Sequence, residues 1–299
     1  MRTTTTGSRW ARCAVAAVLL TVSLVASACG SDAPEQGRST AAPTATPPTR
    51  TWTTRSSTPA PTSPGPTTPA PTPTAATTPA PTTPPPAPSC DLGPYEGMDV
   101  ERVATTKRVV ALTFDGGASD AGGRKILDTL AAKNAPATFF FTGDFTLDHP
   151  ALAREIARSY PVGNHTQTHP DLTTLTRTQV VDQIRSGRAT IRAQTGAETR
   201  PLFRFPFGAR DATTIGLVND ECYVAYRWTV DTLGWKGTSG GITAEIVYER
   251  VMAGLQPGEI VLMHVGSNPK DGTTLDADAL PRIIDGIRAA GYTLVTLPR

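Results

Sequence analysis

The run Arg108-Val-Val-Ala-Leu-Thr-Phe114 is followed directly by Asp115-Gly-Gly117. Its valine, leucine and phenylalanine side chains favour a buried strand, and the glycines that follow are typical of a turn. A short apolar run followed by an amphipathic segment then recurs to the end of the chain. About seven strands alternate with helices over roughly 200 residues, which is typical of parallel βα units. We therefore predict an α/β fold, an irregular (β/α) barrel of about seven strands.

A polar residue stands at the carboxyl end of five of the predicted strands. These residues are Asp115, His165, Arg204, Asp231 and His264. Each has a plainer explanation when it is considered alone: a turn residue, a surface charge, a cap or a core histidine. In a (β/α) barrel, however, the carboxyl ends of the strands form the face that carries the active site. Together the five residues predict one cleft that holds carboxylate, imidazole and guanidinium groups.

The segment His165-Thr-Gln-Thr-His169 holds two of the four histidines in the chain. Imidazoles four residues apart can point the same way and share one divalent cation. The alternative is a polar loop that happens to contain two histidines. Zinc suits imidazole ligands, and cobalt and manganese stay open because two histidines do not select among these metals.

Five short motifs, in fixed order, resemble those of the polysaccharide deacetylases of the NodB-homology type, which form carbohydrate esterase family four. The motifs are Thr113-Phe-Asp-Gly-Gly117, His165-Thr-Gln-Thr-His169, Arg204-Phe-Pro-Phe207, Asp231-Thr-Leu-Gly-Trp235 and Leu262-Met-His264. The resemblance covers residues 107–297. It implies a NodB-like barrel and a metal-dependent hydrolase that removes N-acetyl groups from a glycan.

The resemblance also implies a role for each residue of the site. Asp115 would be the general base, with Arg204 holding it ionised, and His264 would be the general acid that protonates the leaving nitrogen. A divalent metal on the two motif histidines would lower the pKa of bound water. Substrate or oxyanion contacts would come from the backbone N–H of Phe207, from Trp235 and Leu262 around the acetyl methyl group, and from Asp231.

Two glycines stand where the family usually has aspartate. Gly116 replaces a carboxylate metal ligand, and Gly234 replaces an aspartate that tunes the acid histidine. The metal could then be held by the two histidines with water or Asp115, or Asp120 could substitute as a ligand. A domain that binds glycan without catalysis and an O-acetyl (xylan-type) esterase are the alternatives. We predict an active N-deacetylase because the other catalytic and metal-binding positions are retained.

Residues 1–28 are predicted to form an export signal. They hold three arginines and no acidic residue, followed by an apolar run, Cys13–Val25, that is too short to span a bilayer permanently. Ala26-Ser-Ala-Cys29 resembles the lipobox of bacterial lipoproteins, in which the cysteine is lipidated, although alanine replaces the usual leucine. Ordinary cleavage near Ala28 would instead give a secreted protein. Both outcomes predict an extracytoplasmic location.

Residues 30–89 are predicted to form a disordered linker. Of the 59 residues from Ser31 to Ser89, 17 are proline and 17 are threonine. Such a segment cannot bury enough apolar surface to offset the entropy lost on ordering, and its prolines favour extended polyproline II. An enzyme on this tether would reach into the cell wall, so we predict peptidoglycan as the substrate, ahead of chitin oligomers. A stalk that acts as an adhesin is the weaker alternative.

Residues 90–299 form the predicted deacetylase domain, with its core at about 107–297. Its two cysteines, Cys90 and Cys222, could form a disulfide in an oxidising compartment or remain buried thiols. The formal net charge of +2 gives no reason to predict nucleic-acid binding. The predicted partners are an acetylated glycan and, through the lipid on Cys29, a membrane. The domain is predicted to be a monomer.

Overall fold

Parallel pairing of short strands organises this chain. The computed structural model describes residues 90–298. The predictions for the export signal, for Cys29 and for the linker at 30–89 fall outside the described residues. The strands are β1 (Asp99–Val100), β2 (Val109–Gly116), β3 (Thr138–Phe141), β4 (Val162–Asn164), β5 (Leu202–Phe203), β6 (Val224–Tyr226), β7 (Val230–Asp231), β8 (Glu259–His264) and β9 (Thr293–Val295).

The strands are paired in the order β1-β6-β5-β4-β3-β2-β8-β7, with β9 beside β2. Helices cover the sheet, and the predicted irregular (β/α) barrel is confirmed as a curled half-barrel of parallel strands. The helices are α1 (Gly123–Ala132), α2 (Gly143–Asp148), α3 (Pro150–Ser159), α4 (Arg177–Thr195), α5 (Ala212–Asp220), α6 (Ala244–Ala253) and α7 (Leu275–Ala289). No helix of the described range is long and apolar enough to cross a bilayer.

The described sheet has nine strands rather than about seven, and one cause is the segment after β6. The run from Tyr223 to Asp231 contains two short strands, β6 and β7, rather than one. Between them, the N–H of Arg227 donates to the carbonyl of Val100 on β1, and the N–H of Thr229 donates to that of Ile260 on β8. The segment therefore crosses from one end of the strand order to the other, so it cannot keep one strand partner.

Strand β2 has two buried faces, because successive side chains of a strand point in opposite directions. Val110, Leu112 and Phe114 join the apolar cluster that contains residues of α1 and α7. Ala111 joins a second cluster with Phe140 and with side chains of β5, β6 and β8, inside the curl of the sheet. The same alternation directs Asp115 to the inside of the sheet, where the site lies.

The segment from Cys90 to Val103 is part of the fold. Strand β1 pairs with β6, and the N–H of Val103 donates to the carbonyl of Gly258. A disulfide joins Cys90 to Cys222, whose Cα atoms are 5.6 Å apart. The first described residues are therefore tied to the loop between α5 and β6.

Replacing Cys90 and Cys222 together with serine should lower the free energy of unfolding by about 2–4 kcal/mol. The disulfide closes 132 residues of sequence, and its loss increases the freedom of the unfolded chain. Urea unfolding of the parent and of the double variant, with and without reductant, measures the effect. Reductant should destabilise the parent alone. Equal stability of parent and variant would contradict this prediction.

Candidate active site

The predicted site residues converge at the carboxyl ends of the strands. Asp115 is the penultimate residue of β2, and it is the register partner of His264 at the end of β8. His165 directly follows β4, Arg204 directly follows β5, and Asp231 ends β7. Parallel pairing thus brings residues that are up to about 150 positions apart to one edge of the sheet, as a barrel requires.

Arg204 is fully buried, and its guanidinium donates to four oxygen atoms. Nη1 donates to Asp115 Oδ1 at 2.8 Å and to Thr113 Oγ1 at 2.9 Å. Nε donates to the carbonyl of Tyr226, and Nη2 donates to that of Arg227. Because Arg204 is held by strands on both sides, it fixes the direction of the Asp115 carboxylate.

The Asp115 carboxylate stays ionised although it is buried. Burial alone would raise its pKa, but the charge of Arg204, with smaller contributions from His165 and His264, lowers the pKa below its ordinary value of 3.8. Asp115 Oδ2 lies 3.6 Å from His165 Nε2. One oxygen of the carboxylate is therefore engaged by Arg204, while the other faces the histidine pair.

The two motif histidines present their Nε2 atoms to each other. His165 is buried, and its Nδ1 lies 2.7 Å from the carbonyl oxygen of Arg204. A carbonyl only accepts, so Nδ1 carries the proton and Nε2 keeps its lone pair. That Nε2 lies 3.1 Å from Nε2 of His169. Burial lowers the pKa of His165, and burial together with His165 lowers the pKa of His169 to about 4. Both rings are neutral at pH 7.

His264 lies beside a carboxylate that the sequence analysis missed. Asp276, on the first turn of α7, accepts from the backbone N–H of His264 at 2.8 Å, and its Oδ2 lies 3.5 Å from His264 Nδ1. Burial would lower the pKa of His264, but Asp276, with Asp115 and Asp231, raises it above 6.5. In sequence, Asp276 resembles an ordinary first-turn acid. The only sequence feature that pointed to Asp276 was Gly234, because a residue without a side chain leaves the space that Asp276 occupies.

The remaining predicted residues line the rim and floor of the site. The side chain of Phe207 is 71% exposed, and its backbone lies in the left-handed region with a φ of 59°. Its ring packs edge-on against the ring of His169, with 4.6 Å between the ring centroids. Trp235 is 47% exposed, whereas Leu262 is buried. Asp231 Oδ1 accepts from the N–H of Leu233, which orders the loop that leads to Trp235. The oxyanion role of the Phe207 N–H stays a prediction.

Comparison with known proteins agrees with this geometry. A family model for polysaccharide deacetylases matches residues 102–225. The chain is 32% identical over 208 residues to a chitooligosaccharide deacetylase of Sinorhizobium fredii, covering 67% of this chain and 95% of that protein. It is 35% identical over 203 residues to the peptidoglycan-N-acetylglucosamine deacetylase PgdA of Listeria monocytogenes, covering 67% of this chain and 40% of that protein.

The chain belongs to the polysaccharide deacetylase family. The predicted family and enzyme class are confirmed. The fold agrees with a crystal structure of BA3943 from Bacillus anthracis, a family pseudoenzyme, with a TM-score of 0.59 at 30% identity and with 66% of each chain covered. The family thus contains pseudoenzymes as well as enzymes, so the residues at the metal position bear directly on activity.

The deacetylase family is generally metal-dependent, and the two histidines have the chemistry to hold a divalent cation. Their neutral Nε2 atoms converge within 3.1 Å, and Asp115 is a carboxylate beside them. Within residues 90–298, however, no group of three or more His, Cys, Asp or Glu side chains has the arrangement of a metal site. The described residues therefore offer the Nε2 atoms of two histidines, with Asp115 Oδ2 lying 3.6 Å from Nε2 of His165.

Aromatic side chains occupy the space beside Gly116, where the family usually has a carboxylate ligand. Asp120 Oδ2 lies 3.3 Å from Nδ1 of His149, and its role as a substitute metal ligand stays a prediction. A Cβ atom on residue 116 would fall 2.8 Å from Cδ1 of Phe141 and 3.2 Å from Cε1 of Phe145. Both rings are fully buried, so the space for an aspartate is filled by packed aromatic side chains.

Replacing Gly116 with aspartate should not restore a stronger metal site. The new side chain would press on the rings of Phe141 and Phe145 and would cost about 1–3 kcal/mol of stability. Thermal unfolding and zinc titration by calorimetry measure the two effects. Gly117→Asp is the matched control, because a Cβ there has no atom within 4 Å. Unchanged stability with tighter zinc binding in Gly116→Asp would show that the rings yield.

Proposed function

We propose that this deacetylase is an extracytoplasmic, metal-dependent hydrolase that removes N-acetyl groups from a glycan, with peptidoglycan as its substrate. The observation that carries the proposal is the ion pair between Arg204 and Asp115, 2.8 Å long, beside two neutral histidines. This ion pair keeps the Asp115 carboxylate ionised, so that it can accept a proton from a hydrolytic water beside it. His264 is the register partner of Asp115 on the neighbouring strand β8, so the proposed acid stands beside the proposed base.

In the mechanism that this geometry supports, Asp115 accepts a proton from the attacking water through the oxygen that Arg204 leaves available. His264 donates a proton to the amide nitrogen as the carbon–nitrogen bond breaks, giving acetate and a free amine. When bound to His165 and His169, a divalent metal such as zinc, cobalt or manganese would lower the pKa of that water and polarise the acetyl carbonyl. The backbone N–H of Phe207 would stabilise the developing oxyanion.

The choice of peptidoglycan rests on the sequence and on the relatives. The predicted lipid anchor at Cys29 and the predicted linker at 30–89 would place the domain in the cell wall. The Listeria relative is a peptidoglycan deacetylase, and the Sinorhizobium relative is a chitooligosaccharide deacetylase. The exposed rings of Phe207 and Trp235 on the rim provide apolar faces against which sugar rings can pack.

One observation favours a second candidate, a glycan-binding relative without catalysis. The aromatic packing around Gly116 leaves no carboxylate at that metal position, and BA3943 is a pseudoenzyme of similar fold. We favour the enzyme because Asp115, Arg204 and His264 keep the contacts that general acid–base chemistry needs. A binding module has no need of a carboxylate held ionised in a buried position.

Purified full-length chain should release acetate from peptidoglycan, and chelator should abolish the release until zinc is added back. Asp115→Asn and His165→Gln should each lower the rate by at least about 100-fold, because each removes a group of the hydrolytic centre. His149→Gln is the matched control, since the contacts of His149 are with Asp120 and the carbonyl of Ala118 and not with Asp115 or His165. Acetate and free amine are measured after incubation.

The alternatives give different results in the same assay. Release from acetyl-xylan but not from peptidoglycan or chitin oligomers would identify the O-acetyl esterase. Binding of peptidoglycan without acetate release from any of the three glycans, by folded protein with zinc, would identify the glycan-binding module.

The rate should fall at alkaline pH with an apparent pKa above 6.5. His264 donates only when protonated, and the carboxylates around it raise its pKa above that ordinary value. Asp115 must be ionised, and Arg204 keeps its pKa below 3.8, so Asp115 sets no acidic limb above that pH. A profile of kcat/KM against pH tests both statements. An alkaline limb at or below pH 6.5 would contradict the assignment of His264.

A further inference from the structure

Asp276 is a buried carboxylate, 3% exposed, that meets the end of β8 and the loop after β7. Its Oδ1 accepts from Thr232 Oγ1 at 2.6 Å, and its Oδ2 accepts from the backbone N–H of His264 at 2.8 Å. Two separate segments of the chain therefore fix the orientation of this one carboxylate. None of the five motifs includes Asp276.

The carboxylate faces one nitrogen of the His264 ring. Nδ1 of His264 is buried, makes no regular hydrogen bond within the described residues, and lies 3.5 Å from Asp276 Oδ2. With Nδ1 directed at Asp276, the other nitrogen, Nε2, is the one left to deliver a proton. A partner on one ring nitrogen determines the tautomer and the direction of the ring.

Gly234 and Asp276 compete for one space. A Cβ atom on residue 234 would lie 2.2 Å from Asp276 Oδ1 and 2.5 Å from its Cγ, far inside contact distance. The φ angle of Gly234 is not in the left-handed region, so the backbone itself would accept a side chain. The glycine is therefore required by the carboxylate that occupies the space, and not by the local conformation.

From these contacts we infer that Asp276 is the positioning residue of His264, and that it supplies from α7 the carboxylate that the fourth motif lacks at Gly234. This inference rests on the proposed function, because it assigns the partner of the proposed acid. His264 has a carboxylate partner, which lies on α7 rather than in the fourth motif.

A purely structural role for Asp276 makes a different prediction. If Asp276 only ties α7 to β8, its loss would affect stability and all reactions of the site equally. A positioning role affects the reactions that need the proton of His264. Amide hydrolysis needs this proton because an amine is a poor leaving group, whereas p-nitrophenyl acetate expels a stable phenolate without it. The ratio of the two rates therefore separates the roles.

The experiment compares Asp276→Asn, Asp276→Ala, Gly234→Asp and the double variant Gly234→Asp/Asp276→Ala in the full-length chain with zinc. Asp276→Asn should lower kcat for an N-acetylglucosamine tetramer by about 10- to 100-fold, with KM and p-nitrophenyl acetate hydrolysis within about twofold. Gly234→Asp alone should be destabilised by its clash with Asp276. The double variant should recover most of the kcat lost in Asp276→Ala, because the carboxylate returns from residue 234.

Asp278→Asn is the matched control. Asp278 is on the same turn of α7 but is exposed and pairs with Lys125, so its loss changes the charge of the helix without changing the site. Equal losses of amide and ester hydrolysis in Asp276→Asn would overturn the inference. So would a double variant that is no more active than Asp276→Ala.

A readout that does not depend on catalysis separates failure of this inference from failure of the proposed function. Nitrogen-15 NMR of the His264 ring, at a pH where the ring is neutral, should show the proton on Nδ1 in the parent chain and a mixture of tautomers in Asp276→Ala. A parent chain with the proton on Nε2 would overturn the inference whether or not the chain hydrolyses any glycan. This measurement on the parent is decisive even if the variants do not fold.

Discussion

The buried ion pair between Arg204 and Asp115 is the interaction on which the rest of this site depends. The guanidinium is fully buried, and its contacts reach β2 through Thr113 and Asp115 and the end of β6 through main-chain carbonyls. The carbonyl of Arg204 also fixes the tautomer of His165. Removing one partner of such a pair typically costs about 3–5 kcal/mol, because the other charge is left buried and unpaired. Asp115, His165 and the ends of β2 and β6 are thus all held by Arg204.

The sequence predicted those parts of the site that follow directly from strands. Asp115 and His264 stand at strand ends, and parallel pairing makes them neighbours whatever the details of the loops. The histidine pair was also predictable, because its spacing is local. The separation of β6 from β7 was not predictable, since it depends on two different strands accepting from Arg227 and Thr229. Nor was Asp276, because its contact with Thr232 spans 44 residues of sequence and leaves no local pattern.

The two glycines that replace family aspartates have opposite physical consequences. At Gly116 the space is filled by the rings of Phe141 and Phe145, so the lost carboxylate is replaced by apolar packing. At Gly234 the space is filled by the carboxylate of Asp276, so the charge is retained and only its origin in the chain has changed. Sequence alone treats both as the loss of an acid. The structure shows apolar packing at the first position and, at the second, a carboxylate that lies beside His264.

The segment that leads into α7 therefore contributes more to the site than its position outside the motifs suggests. Asn268 Nδ2 donates to the carbonyl of Trp235, and Asp271 accepts from the N–H of Ser239, so this segment also holds the loop that carries the exposed tryptophan. Asp276, a few residues later, holds His264. One stretch of chain thus fixes both an aromatic wall of the cleft and the acid beside it. A change in this segment would move Trp235 and His264 together, which couples the rim of the cleft to the proposed proton donor through the backbone.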